Sequence, residues 1–138
     1  MAYTGSCLCG GVSFQIEGEL QPIQVCHCQQ CRKAHGGPFA TVIPVATSAF
    51  RLVAGEQLLK SYESSPGKER VFCGQCGSPL FSRRPALPNV VRLRAGLINE
   101  PLNVGLAWHA YTGYKCNWWP IADEAPQYEQ GHAPQPRA

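Results

Sequence analysis

The chain has 138 residues, enough for one hydrophobic core and short of two comfortable domains. Twelve Lys and Arg against nine Asp and Glu give a formal net charge of +3, and no basic run exceeds two residues, which argues against a nucleic-acid partner. No stretch nears the ~20 apolar residues of a membrane helix, and the first seven residues lack a basic start followed by an apolar block, so a cytoplasmic, reducing location away from membranes is expected.

Fourteen Gly and twelve Pro predict many turns and few long helices. Residues 12–16 alternate with period two and read as a strand. Gln29 to His35, closed by Gly36-Gly37, is the best helical candidate. Residues 41–45 are β-branched, but Pro44 predicts an edge or a strand end. A helical turn is expected near residues 47–50, then strands at 50–53, 58–62 and 69–72, the last two joined by a tight turn at 64–67. Leu80-Phe81 and residues 90–94 complete the set. The expected architecture is mostly β: one domain of short antiparallel strands over residues 1–131, with 132–138 a flexible tail.

Eight cysteines are far more than a domain of this size needs. They form three clusters, Cys7-Leu-Cys9, Cys26-His-Cys28-Gln-Gln-Cys31 and Cys73-Gly-Gln-Cys76, with Cys116 alone. Residues two apart on a strand share a face, so a C-x-C strand aims two thiols at one point. A C-x-x-C turn does the same around a metal. Cys7, Cys9, Cys73 and Cys76 therefore predict a closed four-sulfur structural zinc site. Cys26, Cys28 and Cys31 predict a second zinc with three protein ligands and an open position, the feature that separates catalytic from structural zinc. Competing readings are a disulfide framework, a redox C-x-x-C, an iron–sulfur cluster, or closure of the second site by His27, His35 or Cys116.

In order, Gly5 to Phe14, Cys26 to Lys33 with Gly37-Pro-Phe39, Lys68 to Gly77 with Leu80-Phe81, and Trp118 with Asp123 to Gly131 resemble the glutathione-dependent formaldehyde-activating enzyme family, also called the centromere-protein-V-like zinc domain. The resemblance implies a tent-like β fold with two zinc ions. It assigns Cys7, Cys9, Cys73 and Cys76 to the structural site and Cys26, Cys28 and Cys31 to a catalytic site beside which glutathione acts. It further implies a carbon–sulfur lyase that joins glutathione to formaldehyde as S-(hydroxymethyl)glutathione. The alternative is a non-catalytic zinc-binding module that holds a thiol or a protein partner.

Zn²⁺ with three thiolates carries a net charge of −1, and a fourth thiolate makes it −2, so nearby cations are needed. Arg32 follows Cys31 directly, and Arg32 and Arg70 are candidates for holding glutathione carboxylates. His35, one helical turn past Cys31, is a candidate for substrate contact and proton transfer. His27 alternates with Cys26 and Cys28, so on a strand it points away from their metal.

Overall fold

The computed structural model describes residues 2–131; the predicted tail at 132–138 lies outside them. In chain order the strands are β1 (Ala2–Ser6), β2 (Ser13–Glu17), β3 (Ile23–Cys26), β4 (Ala40–Ala46), β5 (Phe50–Ala54), β6 (Leu59–Ser65), β7 (Lys68–Cys73), β8 (Pro79–Arg83), β9 (Val90–Arg94) and β10 (Leu106–Ala110). Helix α1 (Gln29–His35) and four single turns of 3₁₀ helix complete the described secondary structure. The fold is mostly β, as the sequence predicts. No helix among the described residues is long and apolar enough to cross a membrane.

The chain divides into two compact units. The first comprises the residues up to Gln21 and Ile43–Val104. In it β2 pairs antiparallel with both β1 and β5, and the period-two pattern buries Phe14 and Ile16 on one face. Phe14 stacks on Phe50 at 5.3 Å between ring centroids, and Phe50 meets Phe81 edge-on at 5.7 Å. Strands β6 to β9 form an antiparallel meander in the order β9-β8-β7-β6. Its hairpin from β6 to β7 turns at Pro66-Gly67, within the predicted turn. Val71, Leu80, Phe81 and Leu93 are buried, and each such side chain contributes about 1.5–3 kcal/mol by leaving water.

The second unit comprises Pro22–Val42 and the chain from Gly105 on. Here β3 lies between two partners. It is antiparallel to β4, with Val25 opposite Thr41 and Cys26 opposite Ala40. It is parallel to β10, with His109 opposite Val25 and Ala110 opposite Cys26. This parallel pair is the exception to the antiparallel expectation. It arises because β10 enters from a point some eighty residues away rather than through a hairpin.

Pro44 lies inside β4 rather than at its end. Pairing with β3 covers only residues 40–42, so the N–H that proline lacks removes no rung of that ladder. Helix α1 starts directly after β3. Cys28 is its N-cap, and the chain leaves it through Gly36, whose N–H reaches Arg32 O at 2.8 Å.

Candidate metal centres

In the first unit the Sγ atoms of Cys7, Cys9, Cys73 and Cys76 all lie within 4.8 Å of one another. Cys7 and Cys9 are 3.5 Å apart, and Cys9 and Cys73 are 3.9 Å apart. The expectation of a C-x-C strand needs correction: β1 ends at Ser6, and Cys7 opens a turn closed by Gly10 N–H to Cys7 O at 3.1 Å. A matching turn carries the other pair, with Gly77 N–H to Cys73 O at 2.8 Å. Turns succeed where a strand would not because they free backbone N–H groups to face the sulfurs. Val12 N–H donates to Cys7 Sγ at 3.3 Å, and the Gln75 side-chain amide donates to Cys9 Sγ at 3.3 Å. The Ser78 hydroxyl lies 3.2 Å from Cys76 Sγ and accepts Leu8 N–H at 2.8 Å, joining the two turns.

The Ser78 hydroxyl and backbone N–H pull the Cys76 thiol down to about 5. Four sulfurs at this spacing cannot all carry charge without a cation among them. A soft set of four thiolates gathered this closely fits zinc, which takes four such ligands.

In the second unit Cys26, Cys28 and Cys31 bring three Sγ atoms within 4.8 Å of one another. Cys26 ends β3, Cys28 caps α1 in extended conformation, and Cys31 lies in the first turn of the helix, its N–H donating to Cys28 Sγ at 3.4 Å. Cys26 and Cys28 thus flank a strand end instead of sharing one strand. Cys31 is buried against Ala40 and Val42, and Cys26 and Cys28 pack on the same cluster. The Cys28 and Cys31 thiols, then burial, push the Cys26 thiol strongly up, because neighbouring thiolates in a partly buried site repel. This donor set also fits a zinc ion, which removes that repulsion. Among the described residues no fourth His, Cys, Asp or Glu joins the trio. His27, His35 and Cys116 therefore do not close it.

His27 points away from the trio. It is fully buried, its Nε2 lies 2.8 Å from His109 Nδ1, and His109 Nε2 meets both Asp123 carboxylate oxygens at 3.0 and 3.1 Å. Burial, then the neighbouring His109, lowers the His27 pKa to about 4, so the ring is neutral at pH 7. No spacing rule links residues 82 positions apart, so the sequence alone does not mark His109. The one available signal was Asp123, in the last block of the family resemblance.

Arg32 follows Cys31 and donates from Nη1 to Tyr114 O at 3.2 Å. His35 is the last residue of α1 and half-buried. Arg70 lies in β7 of the first unit, with Nε donating to Ser64 Oγ at 3.1 Å. A cavity of about 490 Å³ in the second unit is lined by Val25, Phe39, Thr41, His109, Trp119 and Asp123, among others. Val25 and Thr41 alternate with Cys26 and Ala40 along their strands, so the cavity opens on the sheet face opposite Cys26.

A family model described as glutathione-dependent formaldehyde-activating enzyme matches residues 2–114. A Halomonas elongata protein named "Putative glutathione-dependent formaldehyde-activating enzyme" is 32% identical over 109 residues, covering 74% of this chain and 69% of that protein. An uncharacterized lyase of Schizosaccharomyces pombe is 30% identical over 79 residues, covering 57% of this chain and 56% of the relative. Against that second relative the matched stretch spans little more than half its length. Among solved structures, a Rhodobacter sphaeroides protein superposes with a TM-score of 0.59 at 25% identity, covering 72% of this chain and 90% of the other.

Proposed function

The chain belongs to the glutathione-dependent formaldehyde-activating enzyme family, and we propose that it is a zinc-dependent carbon–sulfur lyase-type enzyme that forms or splits S-(hydroxymethyl)glutathione. The observation that carries this reading is the three-sulfur cluster of Cys26, Cys28 and Cys31, which no fourth protein donor completes among the described residues. Relatives named as enzymes, one of them a lyase, support catalysis over a purely structural role.

Cys7, Cys9, Cys73 and Cys76 hold one zinc for architecture, and Cys26, Cys28 and Cys31 hold the second. A zinc with an open position supplies Lewis acidity that polarises a carbonyl oxygen or keeps a thiol ionised at neutral pH. In the forward direction the glutathione sulfur forms a bond to the formaldehyde carbon. The carbonyl π pair moves to oxygen, which takes up the proton the thiol has lost, and the reverse splits the adduct. Arg32 sits beside Cys31 and offers a guanidinium to a substrate carboxylate. His35, at the end of the same helix, exchanges the proton in this reading.

The test is the rate of S-(hydroxymethyl)glutathione formation followed by NMR with protein holding two zinc ions. Formation well above the uncatalysed background is expected. A rate equal to background from fully loaded protein refutes the enzymatic reading in favour of a zinc module that only binds.

A further inference from the structure

We propose that the hydrogen-bonded chain His27–His109–Asp123, buried at its two histidines, is a strut that sets the aim of Cys26 and Cys28, making His109 and Asp123 positioning residues of the three-cysteine centre. The inference rests on the reading of that trio as a metal site.

The hydrogen-bond polarity follows from the end that has only one solution. Asp123 is a carboxylate facing His109 Nε2 through both oxygens, so Nε2 carries the proton and donates. With the His109 ring neutral, its Nδ1 accepts, and His27 Nε2, 2.8 Å away, donates to it. His27 Nδ1 is left with a bare lone pair, buried and without a hydrogen-bond partner. An imidazole held in an apolar interior with half its polar capacity unused is costly. A phenyl ring would fill such space without that cost. What the imidazole adds is a directional link to β10.

That link acts on the residue between the two ligands. The peptide units on either side of His27 carry Cys26 and Cys28. The His27 backbone is clamped as well, its N–H donating to Ala110 O at 3.0 Å, one rung beyond the end of β3. Backbone and side chain of residue 27 are thus both tied to residues 109–110, which fixes the dihedrals that set the angle between the two thiols.

The other end of the strut is held equally firmly. His109 N–H donates to Pro126 O at 2.8 Å, and His109 O accepts Tyr128 N–H at 2.9 Å. Asp123 Oδ1 accepts Ala125 N–H at 2.9 Å. Residues 123–128, a polar and proline-containing stretch in the sequence, therefore buttress the metal loop from behind β10.

Titrating zinc from the full-length holoprotein with a chromophoric chelator tests this, with the four-cysteine centre as internal reference. His109→Phe keeps the ring volume and removes the acceptor; Asp123→Ala removes the anchor from a partly exposed position. Each is expected to weaken one of the two zinc ions about 10- to 100-fold while the other keeps its wild-type affinity. His109→Asn, which presents an amide near the position of Nδ1, is expected to recover part of the loss. Wild-type affinity for both ions in His109→Phe and Asp123→Ala overturns the strut. Equal weakening of both ions in both variants also overturns it, since the chain would then support the whole fold. A wild-type protein that binds a single zinc removes the underlying reading of the trio, a result separable from the other two.

Discussion

Cys9 Sγ and Cys73 Sγ stand 3.9 Å apart although 64 positions separate them in the chain. Cys7 and Cys76 complete the same cluster, so β1 and β7 are tied at one point. Apparent binding energies of structural zinc are on the order of 10 kcal/mol, comparable with the whole net stability of a domain, about 5–15 kcal/mol. Cys76→Ser or removal of zinc by a strong chelator should therefore abolish cooperative unfolding of the first unit. Circular dichroism melts with and without chelator check this.

Cys31→Ser should behave differently. Cys31 lies on the short helix α1, in a small buried cluster with Ala40, Val42 and its two partner cysteines. Losing it should remove turnover by at least about 100-fold while leaving a cooperative melt. Comparing the melting points of Cys31→Ser and Cys76→Ser beside their rates separates a working centre from an architectural one.

Gly55 is where a single methyl group should cost most. Its φ is +93°, and a Cβ there would collide with the backbone of Gly11 and Val12. Backbone atoms cannot step aside as a side-chain tip can. Gly67 also has a positive φ, +75°, but open space around the would-be Cβ. Gly67→Ala should cost about 1–2 kcal/mol from the left-handed backbone alone. Gly55→Ala should cost clearly more, a difference readable in urea midpoints.

Glu100 gives the fold an acid-sensitive contact. Its two carboxylate oxygens accept the Thr4 N–H at 2.7 Å and the Thr4 hydroxyl at 2.6 Å. The Thr4 hydroxyl, then its N–H, lower the Glu100 pKa below its ordinary 4.5. The unfolded chain thus binds this proton more readily than the folded one. The contribution is fully present above pH 4.5 and is lost as pH falls through the lowered value. The stability advantage of wild type over Glu100→Gln should therefore shrink on acidification below about pH 4.5, measured by denaturant unfolding across that range.

Much of this was legible from local pattern. Gln29–His35 and Val90–Arg94 fall at the residues their patterns mark, since a glycine stop and a β-branched alternation are local signals. Seven of the eight cysteines sort by spacing, because ligand spacing is local as well, and the sulfurs of both groups come together. Three features were not legible. The C-x-C pair at 7 and 9 takes a turn because backbone N–H groups must face sulfur, a demand that period-two alternation does not express. The parallel partner of β3 comes from Leu106–Ala110, whose alternation is broken by a bulge between Leu106 and Trp108. The link from His27 to Asp123 depends on that pairing, so it could not be read before the pairing was known.

The protein carries two sulfur centres, one of four cysteines and one of three. Native mass spectrometry of the purified protein, which counts bound metal chain by chain, tests it most directly. Two zinc ions per chain in the wild type, falling to one in Cys31→Ser, is the predicted result. A single zinc in the wild type, or masses lowered by hydrogen pairs that mark disulfides among these cysteines, would contradict it.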